Sequence, residues 1–488
     1  MNKLSLLSLL FISSFVGAQS EVDRLLEKKD TTYENEFGLF PIQNFTHQET
    51  GGHHQNWAIA QDKTGFIYTG NGKGVLEYDG VSWRLISSPG LHAVRAVVAD
   101  EKNVKWIGAD RELGYLEPDS LGFLQFKSLK HKIPPSHPLS GNVWQIFPEN
   151  DRILFVTETA IYSWTENHFR VIPREGEIHR ANQDLYFRVQ GKGMYRLIGE
   201  VLEPIPDGEK LQNIRIDVVL PYRNRSVLFA SRESGIFVFD GKTVAKFENG
   251  VDDFIIRNNL YTGLILSDSS YVFGTLRGGV IMMDKYGKRT KEITTKEGIL
   301  NNQVYGMMQD SRKSLWLALQ TGISQIEAFL PYTFFDKSLG LEGTVTTIVR
   351  HNDKLFVGTY DGLFTQETNS RSSPARFTRV DGIKNGCFSL LSIGKDLLAG
   401  SASGVFLISN GRVSEIKKLT ACRALCRWKK DPTVIFLGHR GGLSALKFKN
   451  GKWQHEEDFE AVDGEIRSIT EDDQGSLWLG TTLHKILK

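Results

Sequence analysis

The chain has 488 residues, a formal charge of +2, 40% hydrophobic and 24% charged residues. Those balances argue against a disordered chain and a polytopic membrane protein, and a near-zero charge provides no broad electrostatic footprint for nucleic acid or anionic lipid. With 47 Gly, 14 Pro, 29 Phe, 14 Tyr and 9 Trp, the composition is that of many short strands joined by tight turns.

The first element is an export signal. Lys3 supplies a positive start, Leu4 to Val16 an apolar run, and Val16-Gly17-Ala18 a small-residue site, so cleavage is predicted after Ala18. The run is shorter than the roughly 20 residues of a membrane span, and no later segment approaches that length. The mature chain is expected in the periplasm, with residues 1–18 as signal peptide and 19–36 as a short N-terminal segment. Next come His47, Glu49, His53 and His54. They invite a metal reading, but adjacent histidines usually point apart and metal ligands must converge. We expect loop residues and no metal.

From residue 37 a repeat takes over. A small residue follows a large one by two places at Tyr68/Gly70, Trp106/Gly108, Phe155/Thr157 and Phe229/Ser231. The same step recurs at Val272/Gly274, Trp316/Ala318, Phe356/Gly358, Leu398/Gly400, Phe436/Gly438 and Trp478/Gly480, with a degenerate copy at Phe187/Val189. The mean period between Gly70 and Gly480 is about 41 residues, the length of one four-stranded propeller blade. Runs such as VRAVVAD and VYGMMQD read as innermost strands, and FIYTG and LWLAL as second strands. There the small residue lets neighbouring backbones approach. Gly74, Gly235, Gly279, Gly322, Gly362, Gly404 and Gly442 open third strands from turns that call for positive φ.

Eleven units exceed the four to eight blades of a typical ring. The rhythm breaks at IEAFLPYTFFDKSLGLEG, around Pro331. The predicted fold is all-β: a seven-bladed β-propeller over 37–333, then an incomplete second β-propeller of about four blades over 334–488. Residues near Leu39–Phe45 are expected to close the first ring as an outer strand. In the last unit, GSLWLGTTLHKILK, His484 stands where the third-strand glycine belongs; an open, less stable arc is expected. Cys387, Cys422 and Cys426 are too few for a disulfide framework. On a strand, the two in CRALC would sit about 13 Å apart, so all three read as core residues.

NWAIAQDKTGFIYTGNGKGVLEYDGVSW and GILNNQVYGMMQDSRKSLWLALQTGISQIE resemble the regulator-propeller family of the Bacteroidetes. The opening FGLFPIQNFTHQETGGHHQNWAI is similar to members with a helix-turn-helix output. The resemblance covers essentially the whole mature chain. It implies the periplasmic sensor region of a two-component-type regulator, whose members add a triple-tyrosine immunoglobulin-like domain, a membrane span, and a kinase or helix-turn-helix output. The chain departs from that pattern by stopping inside the eleventh unit without those parts, and so reads as C-terminally truncated.

No motif carries catalysis. GNGKG at 70–74 is followed by a strand rather than the helix N-terminus that would hold phosphate. The DKTG and DDQG turns near Asp62 and Asp472 lack the ligand run of a calcium loop. HEEDFE near residue 456 reads as a solvated rim. Binding suits the architecture better, because loops of several blades converge around the channel. The residues just before each innermost strand are His54, Asn56, Trp57, Arg95, Asn142, Trp144, His179, Arg180, Arg215, Arg257, Asn258, Asn302 and Tyr305. Arginines suit carboxylate or sulfate; Trp and Tyr suit sugar faces, and the resemblance implies glycan fragments. The expected function is a non-enzymatic ligand sensor without cofactor. Its expected partners are a glycan fragment or other small molecule, and a second copy or a signalling protein, with no nucleic acid. The alternatives are a secreted propeller enzyme acting on polysaccharide or a lactone, and an interaction scaffold.

Overall fold

Strands that are apolar on both faces cannot face water on either side, and here they stack as the middle layers of small antiparallel sheets. The computed structural model describes residues 36–149, 151–174, 176–199, 201–328, 330, 332–367, 374–482 and 485–488. The export signal with its cleavage after Ala18, Pro331 and His484 lie outside the described residues. Two units are present: Leu39–Thr333, and Phe334–Lys488 with residues 36–38.

The first unit holds seven four-stranded antiparallel sheets. Their innermost strands are Asn56–Gln61, Ala96–Ala99, Gln145–Pro148, Glu177–Ala181, Val218–Pro221, Leu260–Ile265 and Val304–Gln309. In six sheets the four strands run outward in chain order. The seventh takes its outermost strand from the start of the unit: Ile42–Phe45 pairs antiparallel with Ile323–Ile326, Ile42 opposite Ile326 and Phe45 opposite Ile323. The seventh sheet also packs on the first, so closely that a Cβ on Gly306 would lie 2.8 Å from the Trp57 carbonyl oxygen. The unit is therefore a closed ring, which leaves no first or last face to be covered.

Packing explains the repeat. The second strands Ile67–Asn71 and Leu315–Leu319 are buried at every position. At the small-residue step a Cβ on Gly108 would meet Val143 Cγ1 of the next sheet at 2.5 Å, and one on Gly274 would meet Val304 Cγ1 of the next sheet at 3.0 Å. A larger residue would push the sheets apart. All seven third-strand glycines named above have positive φ.

A second recurrent contact was not singled out in the sequence. An aspartate ending an innermost strand accepts a hydrogen bond from an aromatic side chain six residues on. Trp106 Nε1 donates to Asp100 (2.9 Å), Trp316 Nε1 to Asp310 (2.8 Å) and Trp478 Nε1 to Asp472 (2.9 Å). Asp62 and Asp472 also accept from the backbone N–H groups of their own turns. These carboxylates thus hold hairpins.

In the second unit three four-stranded sheets are followed by a three-stranded one, Ile466–Glu471, Leu477–Thr481 and Ile486–Leu487. Phe37 belongs here and not with the first ring: its carbonyl accepts from the Ala375 N–H (2.9 Å), and Glu36 pairs with Arg350 (2.6 Å). Cys387 and Cys422 are buried, and burial pushes both thiols up to about 12. Cys426 departs from the core reading. It lies on the strand Ala424–Arg427, half-buried, whereas Cys422 precedes that strand. Among the described residues no helix is long and apolar enough to cross a membrane.

Candidate functional site

An axial cavity of about 650 Å³ runs through the first unit, and each of the seven innermost strands or the residue before it contributes to its wall. Three positions share one device. The registers slip between Asn56 and Ala58, Leu260 and Thr262, and Val304 and Gly306. The residue in each bulge is aromatic: Trp57, Tyr261 and Tyr305. A bulge re-aims its side chain, and all three line the cavity. Tyr261 and Tyr305 meet edge to face at 5.5 Å. Tyr305 Oη donates to Gln320 (2.7 Å) and accepts from Gln303 (2.8 Å).

Of the thirteen expected binding residues, Trp57, Arg95, Trp144, His179, Arg180, Arg215 and Tyr305 line this cavity. The Arg95 guanidinium lies 3.7 Å from the Trp57 ring centre and 5.1 Å from that of Trp144, close enough for cation–π attraction to both. Its Nε donates to Asn142 Oδ1 (3.0 Å), so Asn142 supports the site without lining it. Trp144 Nε1 donates to Glu158 (2.7 Å). Burial works to raise the Glu158 carboxyl, but bonds from Trp144 and Asn142 outweigh it and hold the group below the usual range.

The other five stand elsewhere. Asn56 is buried and donates to the carbonyls of His54 and Gly322. The His54 ring lies 3.9 Å from that of His53, centre to centre, so these neighbours do not point apart. Glu49 closes a capping box with Thr46 at a one-turn helix. Asn258 donates to the Phe254 carbonyl at the end of the helix Asp252–Arg257. That helix also ends on Arg257 and delays the sixth innermost strand to Leu260, which is why Tyr261 faces the cavity and Arg257 and Asn258 do not. Asn302 accepts from the Thr295 N–H.

The liners that were not expected include Glu158, Arg174, Glu177, Asp217, Arg232 and Tyr261. Tyr261 had a legible signal, since it aligns with Trp57 and Tyr305 in the repeat, and so had Asp217, directly before the innermost strand Val218–Pro221. Asp217 organises two arginines. Arg215 Nε and Arg232 Nε each donate to its Oδ1 at 2.8 Å. Five arginines face three carboxylates around the wall, which leaves the cavity cationic.

The strand Glu177–Ala181 carries the unsatisfied polar atoms of the wall. Glu177 Oε2, His179 Nε2 and Arg180 Nε are buried atoms without a hydrogen-bond partner. His179 bonds the Ile216 backbone through its other nitrogen, and burial pushes it down to about 4. At neutral pH its Nε2 is therefore an acceptor. Together the three atoms present two acceptors and one donor, and each needs water or a bound polar molecule. One titration checks this. In an NMR pH series the His179 ring should change state near 4, not near 6.5. Below 6.5 the unfolded chain takes up this proton before the folded one, so stability from this group is present above about 6.5 and declines towards pH 4. A His179 midpoint above 6 would contradict it.

Against this geometry, known proteins add the following. The family described as two component regulator propeller matches residues 462–482. No curated protein matches the sequence. Among solved structures, the chain is similar to the extracellular domain assigned to a hybrid two component system of B. thetaiotaomicron, at 16% identity and a TM-score of 0.64. That likeness covers 92% of this chain and 65% of the other, so the chain spans less than two thirds of that domain's length. Another B. thetaiotaomicron extracellular domain, assigned to a one component system, matches at 14% identity, a TM-score of 0.46, and 92% and 67% coverage. Virginiamycin B lyase of Staphylococcus aureus matches at 12% identity, a TM-score of 0.44, and 59% and 99% coverage. At such identities the likeness concerns the fold, an all-β propeller.

Proposed function

We propose that the chain is the exported, ligand-sensing propeller region of a two-component-type signalling protein, and that the axial cavity of its first unit receives a small polar ligand of glycan-fragment type. The observation that carries this reading is that the buried unpartnered atoms Glu177 Oε2, His179 Nε2 and Arg180 Nε share one cavity of about 650 Å³ with the Arg95–Trp57–Trp144 cluster. Hydroxyl groups both donate and accept, so a sugar satisfies such a mixed set, and aromatic faces cover its apolar side. The expected outcome of binding is signalling without turnover, through a second copy or a partner protein.

Calorimetric titration and thermal shift with a panel of oligosaccharides and peptides test it. A binding member should stabilise the protein saturably and remain chemically unchanged. Arg95→Ala and Trp57→Ala should each weaken it by about tenfold or more, with melting curves confirming that both variants fold. Turnover of any panel member would replace the sensor by an enzyme. Unchanged affinity in both variants would move the site away from the channel.

A further inference from the structure

The five arginines of the axial wall are not equally committed. Arg215 and Arg232 share the Asp217 carboxylate. Arg180 meets Glu149 through Nη2 (3.1 Å), and its Nη1 donates to the Pro148 carbonyl (2.8 Å). Arg174 donates to the carbonyls of Thr157 (2.6 Å) and Gly176. Arg95 differs. Its Nε donates to Asn142 Oδ1 (3.0 Å), and among the described residues its two terminal nitrogens meet no carboxylate and no carbonyl.

Glu158 does not fill that role. Its charge acts on Arg95 only from a distance, and it is held instead by Trp144 Nε1 (2.7 Å) and the Asn142 backbone N–H (3.1 Å). A guanidinium carries five N–H donors, so the four on the terminal nitrogens of Arg95 are left for a ligand or water. The head is nevertheless fixed. Trp57 and Trp144 flank it, with ring centres at 3.7 and 5.1 Å, and the Arg95 backbone N–H is tied to the Gly108 carbonyl (2.8 Å). Burial works to lower the pKa of this group, and the charges around it only partly offset that, as expected of a cation that has lost water without gaining an ion partner.

We infer that the ligand of the axial cavity is an acidic saccharide, a uronic-acid unit whose single carboxylate takes the open fork of Arg95 while its hydroxyls bond Glu177, His179 and Arg180. The inference rests on the axial cavity being the sensing site and narrows the class of ligand it takes. A planar carboxylate matches a guanidinium fork with two parallel N–H···O bonds, and a fork already held in place loses little freedom on binding. A neutral sugar would leave a half-buried cation uncompensated. A polysulfated sugar would bring further negative charge against Glu158, Glu177 and Asp217, which line the same wall. A cationic ligand would meet like charge at Arg95.

The full chain is titrated calorimetrically with glucuronate, galacturonate and disaccharides that contain them. Each is run beside its methyl ester, which keeps the shape and removes the charge. At least one uronate should bind saturably, about tenfold or more tighter than its ester. Its affinity should fall as salt rises from about 0.02 to 0.3 M while that of the ester holds. Arg95→Gln, with melting curves confirming the fold, should bring the uronate down to the affinity of its ester. The salt series on the unaltered protein decides the matter if that variant does not fold. Equal affinity of acid and ester, an acid affinity indifferent to salt, or a preference for the acid that survives in Arg95→Gln would overturn the inference. Binding by neutral oligosaccharides alone would also overturn it, and would leave the sensing site standing. Binding by no sugar, acidic or neutral, would overturn both.

Discussion

Phe45→Ala should lower the melting temperature of the first unit by about 6–20 °C. Phe45 lies on the one strand that joins the start of the ring to its last sheet. Its ring stacks parallel on Trp316 at 5.7 Å and touches Tyr78 and Trp83 at 5.2 and 5.3 Å. The side chain is therefore the apolar anchor at the seam between the seventh and first sheets, where Ile59, Ile67 and Leu76 complete the cluster. Removing a buried phenylalanine costs about 3–5 kcal/mol, and each kcal/mol moves a large domain by roughly 2–4 °C. Neighbouring polar bonds, Asn44 Nδ2 to the Gly298 carbonyl (2.8 Å) and Ser324 Oγ to Asn44 Oδ1 (2.6 Å), keep the strand in register but cover no apolar surface. Differential scanning calorimetry of the full chain reads the effect. A shift below 2 °C would mean that the ring does not depend on this closure.

Gly74→Val should be as damaging for a different reason. Gly74 has φ +144°, and a Cβ there would lie 2.3 Å from the Ile86 carbonyl oxygen, a backbone atom of the paired outer strand. Strained φ costs about 1–3 kcal/mol and overpacking about as much again. The expected loss is about 3–5 kcal/mol, with much of the protein recovered insoluble. Gly80 is the control. It has φ +99° but open space around its Cβ position, so Gly80→Ala should cost about 1 kcal/mol. Equal melting temperatures for the two variants would show that crowding against the outer strand is unimportant.

Both predictions start from features that the sequence displays. The spacing of Tyr68/Gly70 and Trp106/Gly108 announces a blade because only a small residue lets two backbones meet there, and that requirement is local enough to leave a pattern. The third-strand glycines are legible for the same reason: a turn that needs positive φ restricts residue type at one position. Seven of the thirteen expected binding residues line the channel, since strand starts near an axis are forced towards it by the period of the repeat.

The remainder depended on distances between residues far apart in the chain. Glu158 and Arg232 sit in the turns that follow second strands, outside the window before an innermost strand, whereas Arg174 and Asp217 lie within it, just before Glu177 and Val218. Arg257 and Asn258 occupy the right window, but a short helix takes them out of line and leaves Tyr261 in the bulge. The Asp–Trp pairs six residues apart were visible as residues, yet whether the carboxylate met the indole was settled by the hairpin. By itself, the sequence determined the all-β repeat, its blade length and its turn glycines, because these arise from φ and from packing between adjacent strands. Tertiary structure alone decided which polar atoms stay unpartnered at the axis, because that depends on side chains brought together by the closing of the ring.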